Sequence, residues 1–350
     1  GGGGGGARSN ASLDAAATAA AAASLRSTPL ISVVAAQGHR SYMEDTHFIS
    51  RDGSFVGVYD GHGGSRVSAF LRKALHARFK EHWKEATATN NATGNDDVSR
   101  AVQQAFREVD EAVQRNQKIA VEGSTAAVVI IPHLLKPPPS AVADGGVPKR
   151  ILTANLGDSR AVLSRKGKAV ELTSDHKPNA ARERRRVEDL GGAVKWFGYY
   201  DTEGRPVKGT GCWRINGNLA VSRAFGDKYD RPYVSGECEL KSFEYREDED
   251  QFIIVASDGL WDVMSSSEAV QYVQTMLTGS VGALREGSVQ QGNRPTDVDL
   301  RTWSRQYSKD RGLVRAALMS RKKKMAKYLV EEALRRGTFD NITVVILWLK

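Results

Sequence analysis

The chain has 350 residues, 50 Lys plus Arg against 41 Asp plus Glu, and a formal net charge of +9. With 40% hydrophobic and 26% charged residues it has ordinary globular composition, which excludes wholesale disorder, and the length allows one large domain or two small ones. The longest apolar run, Ile342 to Leu349, is strand-sized and far short of the roughly 18 residues of a membrane span. Two cysteines, Cys212 and Cys238, are no disulfide framework, so a reducing compartment, cytoplasmic or nuclear, is expected.

Residues 1–28 open with six glycines and continue as an Ala/Ser/Thr run without apolar periodicity. They are set aside from the fold as a low-complexity tail, disordered or added. The chain opens on Gly1 and not on methionine, so its start is read as lying inside a longer protein or on an added segment. Ile31 to Ala36 reads as the first strand. Phe55 to Tyr59 reads as a short apolar strand running into the turn cluster Asp60-Gly61-His62-Gly63-Gly64. Val67, Phe70, Leu71, Ala74, Leu75 and Phe79 then recur at helical spacing, and Val98, Val102, Ala105, Phe106, Val109 and Val113 mark a second amphipathic helix.

Ser124 to Ile131 has the composition of a buried strand, and Pro137 to Gly146 that of a loop. Ile151–Asn155 and Arg160–Ser164 read as strands joined through Leu156-Gly157-Asp158-Ser159. Phe252 to Ala256 is a further apolar strand stopped by Ser257-Asp258-Gly259, with a helix from about Ser267. A last helix, near Met325 to Arg336, ends at Gly337 with Arg335 and Arg336 in the turn where cations suit the macrodipole. Ile342 to Leu349 closes the chain. Strands in runs and helices in pairs predict α+β architecture rather than a doubly wound sheet. Residues 279–322 lack a strand pattern and read as a basic insertion.

The acidic residues are placed unusually. Asp60, Asp158 and Asp258 each follow an apolar strand beside a glycine, Asp340 precedes one, and Glu44 and Asp45 lie after the first strand. A lone Asp-Gly is most simply a turn. Several at strand ends raise the alternative that they converge on one rim of a sheet, where carboxylates repel unless a cation neutralises them. An oxygen-only donor set suits Mg²⁺ or Mn²⁺.

Seven segments occur in order: Arg40-Ser41-Tyr42-Met43-Glu44-Asp45, Tyr59-Asp60-Gly61-His62-Gly63-Gly64, Gly123-Ser124-Thr125-Ala126, Asn155-Leu156-Gly157-Asp158-Ser159-Arg160, Leu219 through Asp227, Ser257 through Asp262, and Asp340-Asn341-Ile342-Thr343. Together they resemble the metal-dependent serine/threonine protein phosphatases of the type 2C class, over roughly residues 30 to 350. The resemblance implies a single catalytic domain over residues 29–350: a four-layer αββα sandwich of two antiparallel sheets flanked by helices. It also implies a flap at about 176–226.

By matching positions it implies two Mg²⁺ or Mn²⁺ ions. Asp60 would bridge them, Asp258 and Asp340 would complete one, and Glu44 and the Gly61 carbonyl would bind the other. Asp158 and Asp262 match a third, weaker site. The implied activity is hydrolysis of phosphoserine and phosphothreonine in proteins by a metal-bridging water or hydroxide, without a phosphoenzyme. Asp45 would take a hydrogen bond near the metal waters and His62. Arg40 is the candidate phosphate clamp, because a guanidinium binds two phosphate oxygens through one planar fork. His62 is the candidate general acid for the departing alkoxide. Charge stabilisation and a metal-activated nucleophile are expected to supply much of the catalysis, since phosphate monoester hydrolysis needs accelerations up to ~10²¹ and proximity gives only ~7–11 kcal/mol. General acid catalysis supplies only ~10²–10⁴.

Phosphorylated proteins in signalling are the implied substrates. A catalytically weak phosphoprotein-binding scaffold is the alternative, and every matched metal-binding side chain being acidic argues against it. A two-metal nuclease also fits the charge but not the motif order, so nucleic acid is not the expected partner. In the flap, Arg182, Arg184, Arg185 and Arg186 with Trp196, Phe197, Tyr199, Tyr200 and Trp213 form either a solvated face or a contact for substrate flanking the phosphate. Ten basic residues and one acid between Arg301 and Lys327 carry the whole +9. That window is either a solvated helix face or a dock for an acidic partner or anionic surface.

Overall fold

The computed structural model describes residues 28–88, 95–135, 149–207, 209–278 and 311–349. The low-complexity tail up to residue 27, the Pro/Gly loop at 137–146 and residues 279–310 of the expected insertion lie outside them. In chain order the elements are β1 (Ile31–Ala36), β2 (Thr46–Ile49), β3 (Phe55–Tyr59), β4 (Gly61–His62), α1 (Arg66–Ala88) and α2 (Asn95–Arg115). Next come β5 (Gly123–Ser124), β6 (Ala126–Ile130), β7 (Arg150–Leu156), β8 (Arg160–Arg165) and β9 (Lys168–Glu171). The flap region holds α3 (Ala181–Asp189) and the hairpin β10 (Val194–Phe197) and β11 (Cys212–Ile215), followed by β12 (Phe225–Gly226). The chain ends with β13 (Glu239–Glu244), β14 (Asp250–Ala256), α4 (Asp258–Trp261), α5 (Ser266–Thr278), α6 (Arg311–Arg335) and β15 (Ile342–Trp348).

Two five-stranded sheets, ordered β1-β15-β14-β8-β9 and β13-β7-β6-β3-β2, are antiparallel throughout. Strand periodicity explains why they stack. In β3, Val56 and Val58 enter the core between the sheets, while Phe55 and Tyr59 face the layer formed by α1 and α2. In β14, Ile253 and Val255 enter that same central core, and Phe252, Ile254 and Ala256 face α5 and α6. Strands buried on both faces read as continuous apolar runs, and β3, β14 and β15 are buried along their whole length but for Gln251. Gly57 is required in β3, because a Cβ there would stand 2.5 Å from the Tyr59 hydroxyl. The αββα sandwich expected from the resemblance is the architecture observed.

Three sequence readings change. The single strand Ser124–Ile131 is two strands, broken at Thr125, whose N–H leaves the ladder for the Asp60 carbonyl at 2.8 Å. The last helix starts at Arg311 rather than near Met325, so residues 311–322 of the expected insertion are helical. Arg321, counted with the basic docking window, is only 2% exposed; its Nη1 donates to the Met276 and Leu277 carbonyls at 3.3 Å each, satisfying the C-terminal end of α5. Its neighbour Lys322 lies 5.0 Å over the Trp348 ring. Arg321 therefore belongs to the interior, and among the basic residues from 321 to 327 it is Lys323, Lys324 and Lys327 that are exposed. Arg321→Met should lower the urea midpoint by the equivalent of about 1–3 kcal/mol, the cost of stranding buried carbonyls. An unchanged midpoint would show that α5 ends without it.

Candidate functional site

Antiparallel pairing delivers the acidic residues to one end of the sandwich. Tyr59 at the end of β3 is opposite Thr46 at the start of β2, so Asp60 and the Glu44-Asp45 segment leave the sheet together. Leu156 at the end of β7 is opposite Ala126 at the start of β6, and Ala256 at the end of β14 faces both Val344 and Arg160. Asp158, Asp258 and Asp340 thus emerge at that same rim. Burial pushes the Asp60 carboxyl well above its usual range, and the charges of Asp45, Asp258, Asp158 and Asp340 push it further. Asp258 is raised for the same reasons, burial first and then Asp158, Asp262 and Asp340. Asp158 is raised as well, mainly by burial.

Hydrogen bonds fix the turns. Thr125 Oγ1 accepts from the Asp60 N–H at 3.3 Å and lies 2.8 Å from Ser159 Oγ, tying the Asp60 and Asp158 turns to one residue. Gly157, at φ +109°, would place a Cβ 2.5 Å from the Thr125 methyl, so only glycine fits that turn. Asn341 staples the other loops: its Oδ1 accepts from the Glu44 N–H at 2.7 Å, and its Nδ2 donates to the Gln37 and Tyr42 carbonyls at 2.8 and 3.0 Å. Gly61 is buried beneath the Glu44 carbonyl, which also accepts from Ser68 Oγ.

Asp45 accepts from Ser257 Oγ at 2.7 Å. Its Oδ1 is buried without a hydrogen-bond partner, as is Asp158 Oδ1. Burial pushes the Asp45 carboxyl up to about 6.

Arg40 and Lys177 pair with carboxylates at the rim. Arg40 Nη2 pairs with Asp340 Oδ2 at 2.6 Å while its side chain is 58% exposed. Lys177 Nζ lies 3.2 Å from Asp262 and 3.6 Å from Asp158. Among the described residues, no three His, Cys, Asp or Glu side chains are already gathered in a metal-holding group. The donor set nonetheless fits a hard divalent cation: it is all oxygen, mutually repelling, and includes an orphaned buried carboxylate oxygen at Asp158, with another at neighbouring Asp45. The turns that carry Arg40, Glu44, Asp45, Asp60, Asp158, Asp258, Asp262 and Asp340 all leave the sheets at this end.

His62 stands apart from the carboxylates on a small sheet ordered β12-β5-β4. Its Nε2 lies 2.8 Å from Asp227, a residue buried to 3% exposure. Burial disfavours the imidazolium, but the Asp227 hydrogen bond and charge outweigh it and raise the His62 pKa. A Cβ on Gly123 would meet His62 Nε2 at 2.1 Å, so the glycine makes room for the ring. Asp227, Lys177 and Asn341 are the partners that sequence reasoning left without a role. Asp227 closes one of the seven segments and Asn341 lies within another; Lys177 carries no periodic or motif signal.

Of the four flap arginines, Arg182, Arg184 and Arg185 stay exposed, while Arg186 is half-buried in an ion-pair cluster. Glu183, 2% exposed, binds Arg223 at 2.6 Å, Arg186 at 3.1 Å and Ser222 Oγ at 2.9 Å. Arg184 pairs with Glu188 and lies 5.6 Å over Trp213. Buried His176 ties the start of the flap region to the Asp158 turn. Its N–H and Nδ1 meet the Gly157 carbonyl and N–H at 2.9 and 3.1 Å, and its carbonyl accepts from Ser222 N–H and Oγ.

Burial, helped by Arg223, drives the His176 pKa down to about 4. The unfolded chain therefore binds a proton between about pH 6.5 and 4 that the folded chain refuses. This part of the stability is present above pH 6.5 and is lost as pH falls. Relative to His176→Gln, the native chain should lose up to about 2 kcal/mol between pH 6.5 and 5. Parallel urea midpoints for the two proteins would refute the assignment.

Residues 30–287 match the family model described as Protein phosphatase 2C. "Probable protein phosphatase 2C 8" of Oryza sativa subsp. japonica is 35% identical over 312 residues, covering 85% of this chain and 63% of that protein. "Probable protein phosphatase 2C 59" of Arabidopsis thaliana is 35% identical over 259 residues, covering 72% of this chain and 71% of the relative. Among solved structures, a C. elegans sex determining protein superposes with a TM-score of 0.67 at 23% identity, over 93% of this chain and 65% of that one. A serine-threonine phosphatase 2C from Toxoplasma gondii gives 0.57 at 19% identity, over 92% and 97%. At these identities the two structures show a shared fold.

Proposed function

Because this chain belongs to the protein phosphatase 2C family, we propose that it hydrolyses phosphoserine and phosphothreonine esters in proteins with Mg²⁺ or Mn²⁺ at the acidic rim. Asp60, Asp258 and Asp340 would hold one ion; Asp60, Glu44 and the Gly61 carbonyl a second; Asp158 and Asp262 a third. When bound, such ions stabilise charge on the phosphoryl oxygens and make water acidic enough to serve as the nucleophile. The observation that carries this reading is the convergence of buried, mutually repelling carboxylates with an arginine at their mouth.

The remaining work falls to side chains of the chain itself. Arg40 exchanges its Asp340 partner for two phosphate oxygens, orienting the ester and offsetting charge that builds on it. Asp227 holds the His62 ring and favours its protonated form. Nε2–H of the imidazolium stays on Asp227, and the Nδ1 proton is the one passed to the departing serine or threonine oxygen. No cysteine nucleophile is needed: Cys238 is buried and its thiol is pushed up to about 12.

The test is release of inorganic phosphate from a phosphothreonine peptide. Turnover with Mn²⁺ that EDTA abolishes and added Mn²⁺ restores is the expected result. Tight peptide binding without turnover at any metal concentration would favour a phosphoprotein-binding scaffold instead. Among the described residues no helix is long and apolar enough to cross a membrane.

A further inference from the structure

The segments that flank His62 carry two apolar side chains that the fold leaves outside: Val121, 57% exposed, and Tyr229, 80% exposed. Single exposed apolar residues are ordinary. The position of this pair is what gives it meaning. Gly123 pairs with His62 across the small sheet and with Gly226 on its other side. Beyond that pairing the two chain segments stay joined, Asp227 N–H to the Glu122 carbonyl at 3.1 Å and Lys228 N–H to the Ala120 carbonyl at 2.9 Å. Val121 is thus two residues from the glycine under the His62 ring, and Tyr229 two residues from the aspartate that holds it.

This backbone is held firmly. The 116–122 turn closes on its own carbonyls, with Ala120 N–H on Asn116 and Glu122 N–H on Ile119. Asp110 accepts from the Gly226 N–H, and Gln114 donates to the Gly226 carbonyl. The two side chains therefore project from a rigid ledge, which lowers the ordering cost of any contact made on it.

We infer that Val121 and Tyr229 form a platform for an apolar side chain flanking the phosphorylated residue of the substrate peptide. The inference rests on the hydrolase reading above, with His62 as the group facing the leaving oxygen. The phosphoryl group lies toward Arg40 and the carboxylates. The leaving oxygen, and with it the peptide main chain, lies toward His62. A residue next to the phosphorylated one then passes over the Val121–Tyr229 ledge. Arg66 is paired with Glu122 of the ledge, but Lys118 and Lys228 are exposed on it and suit a peptide that carries phosphate and acidic groups.

The test compares two phosphothreonine peptides, identical but for leucine or glycine on both sides of the phosphothreonine, together with p-nitrophenyl phosphate, all with Mn²⁺. The native chain should prefer the leucine peptide at least tenfold in kcat/KM, about the gain from partly burying one leucine. Val121→Ser with Tyr229→Ser should abolish that preference and leave p-nitrophenyl phosphate turnover unchanged, while Tyr229→Phe should retain the preference. No preference in the native chain, or an undiminished one in the double variant, would overturn the platform. Failure of the native chain to cleave p-nitrophenyl phosphate would overturn the hydrolase reading, and the platform with it.

Discussion

Asp60→Asn should all but abolish phosphopeptide hydrolysis and yet make the ion-free protein harder to unfold. The first effect follows from removing a charge at the centre of the cation site, and a loss on the order of 10³-fold or more in kcat is expected. The second follows from burial and from four neighbouring carboxylates that all raise the Asp60 carboxyl. The folded state binds its proton more tightly than the unfolded state does. In EDTA the native chain therefore gains stability as pH falls from neutral toward about 4, and at pH 7 the charged Asp60 is a liability. The amide carries no charge to repel, so the variant should be more stable in EDTA, with a flatter pH dependence. Urea midpoints in EDTA, paired with phosphate-release rates in Mn²⁺, measure both. Native-like turnover would remove Asp60 from the centre. Lower stability would show that its carboxylate supports the fold.

His62→Gln should separate substrates by leaving group. A serine or threonine oxygen leaves poorly as an alkoxide and needs a proton, so the phosphopeptide kcat should fall by about 10²–10⁴. The p-nitrophenolate anion leaves without protonation, so p-nitrophenyl phosphate turnover should fall far less. Asp227→Asn should show the same pattern more weakly, because the ring stays but loses the carboxylate that favours its charged form. Equal losses on both substrates would mean that His62 binds phosphate or shapes the site rather than donating a proton.

The parts of this molecule that could be read in its sequence are those in which one physical constraint acts alone. β3, β14 and β15 are sealed between layers, so apolar residues fill them and their limits lie within two residues of the apolar runs. The inner faces of α1 and α2 repeat at 3–4 spacing because each covers a sheet. The strand-end aspartates were legible because turn chemistry alone does not account for so many of them.

What escaped is equally physical. β2, β9 and β13 are half-buried or exposed edge strands, whose residues answer to solvent as much as to the core. The described residues of the first turns of α6 are exposed or half-buried and lack a clear apolar stripe, so they looked like linker. Arg321 and Lys177 look like surface cations in sequence. Only the fold brings the first to the end of α5 and the second between Asp158 and Asp262. Asp227 acquires its role because β12 and β4 flank β5, a pairing of two-residue strands too short to leave a pattern.

The claim on which the rest depends is that the acidic rim is a divalent-cation site. Calorimetric titration of the chain with Mn²⁺ at neutral pH tests it most directly. At least two ions should bind to the native chain, and fewer, or more weakly, to Asp60→Asn and Asp258→Asn. Absence of Mn²⁺ binding to the native chain, or identical isotherms for all three proteins, would contradict it.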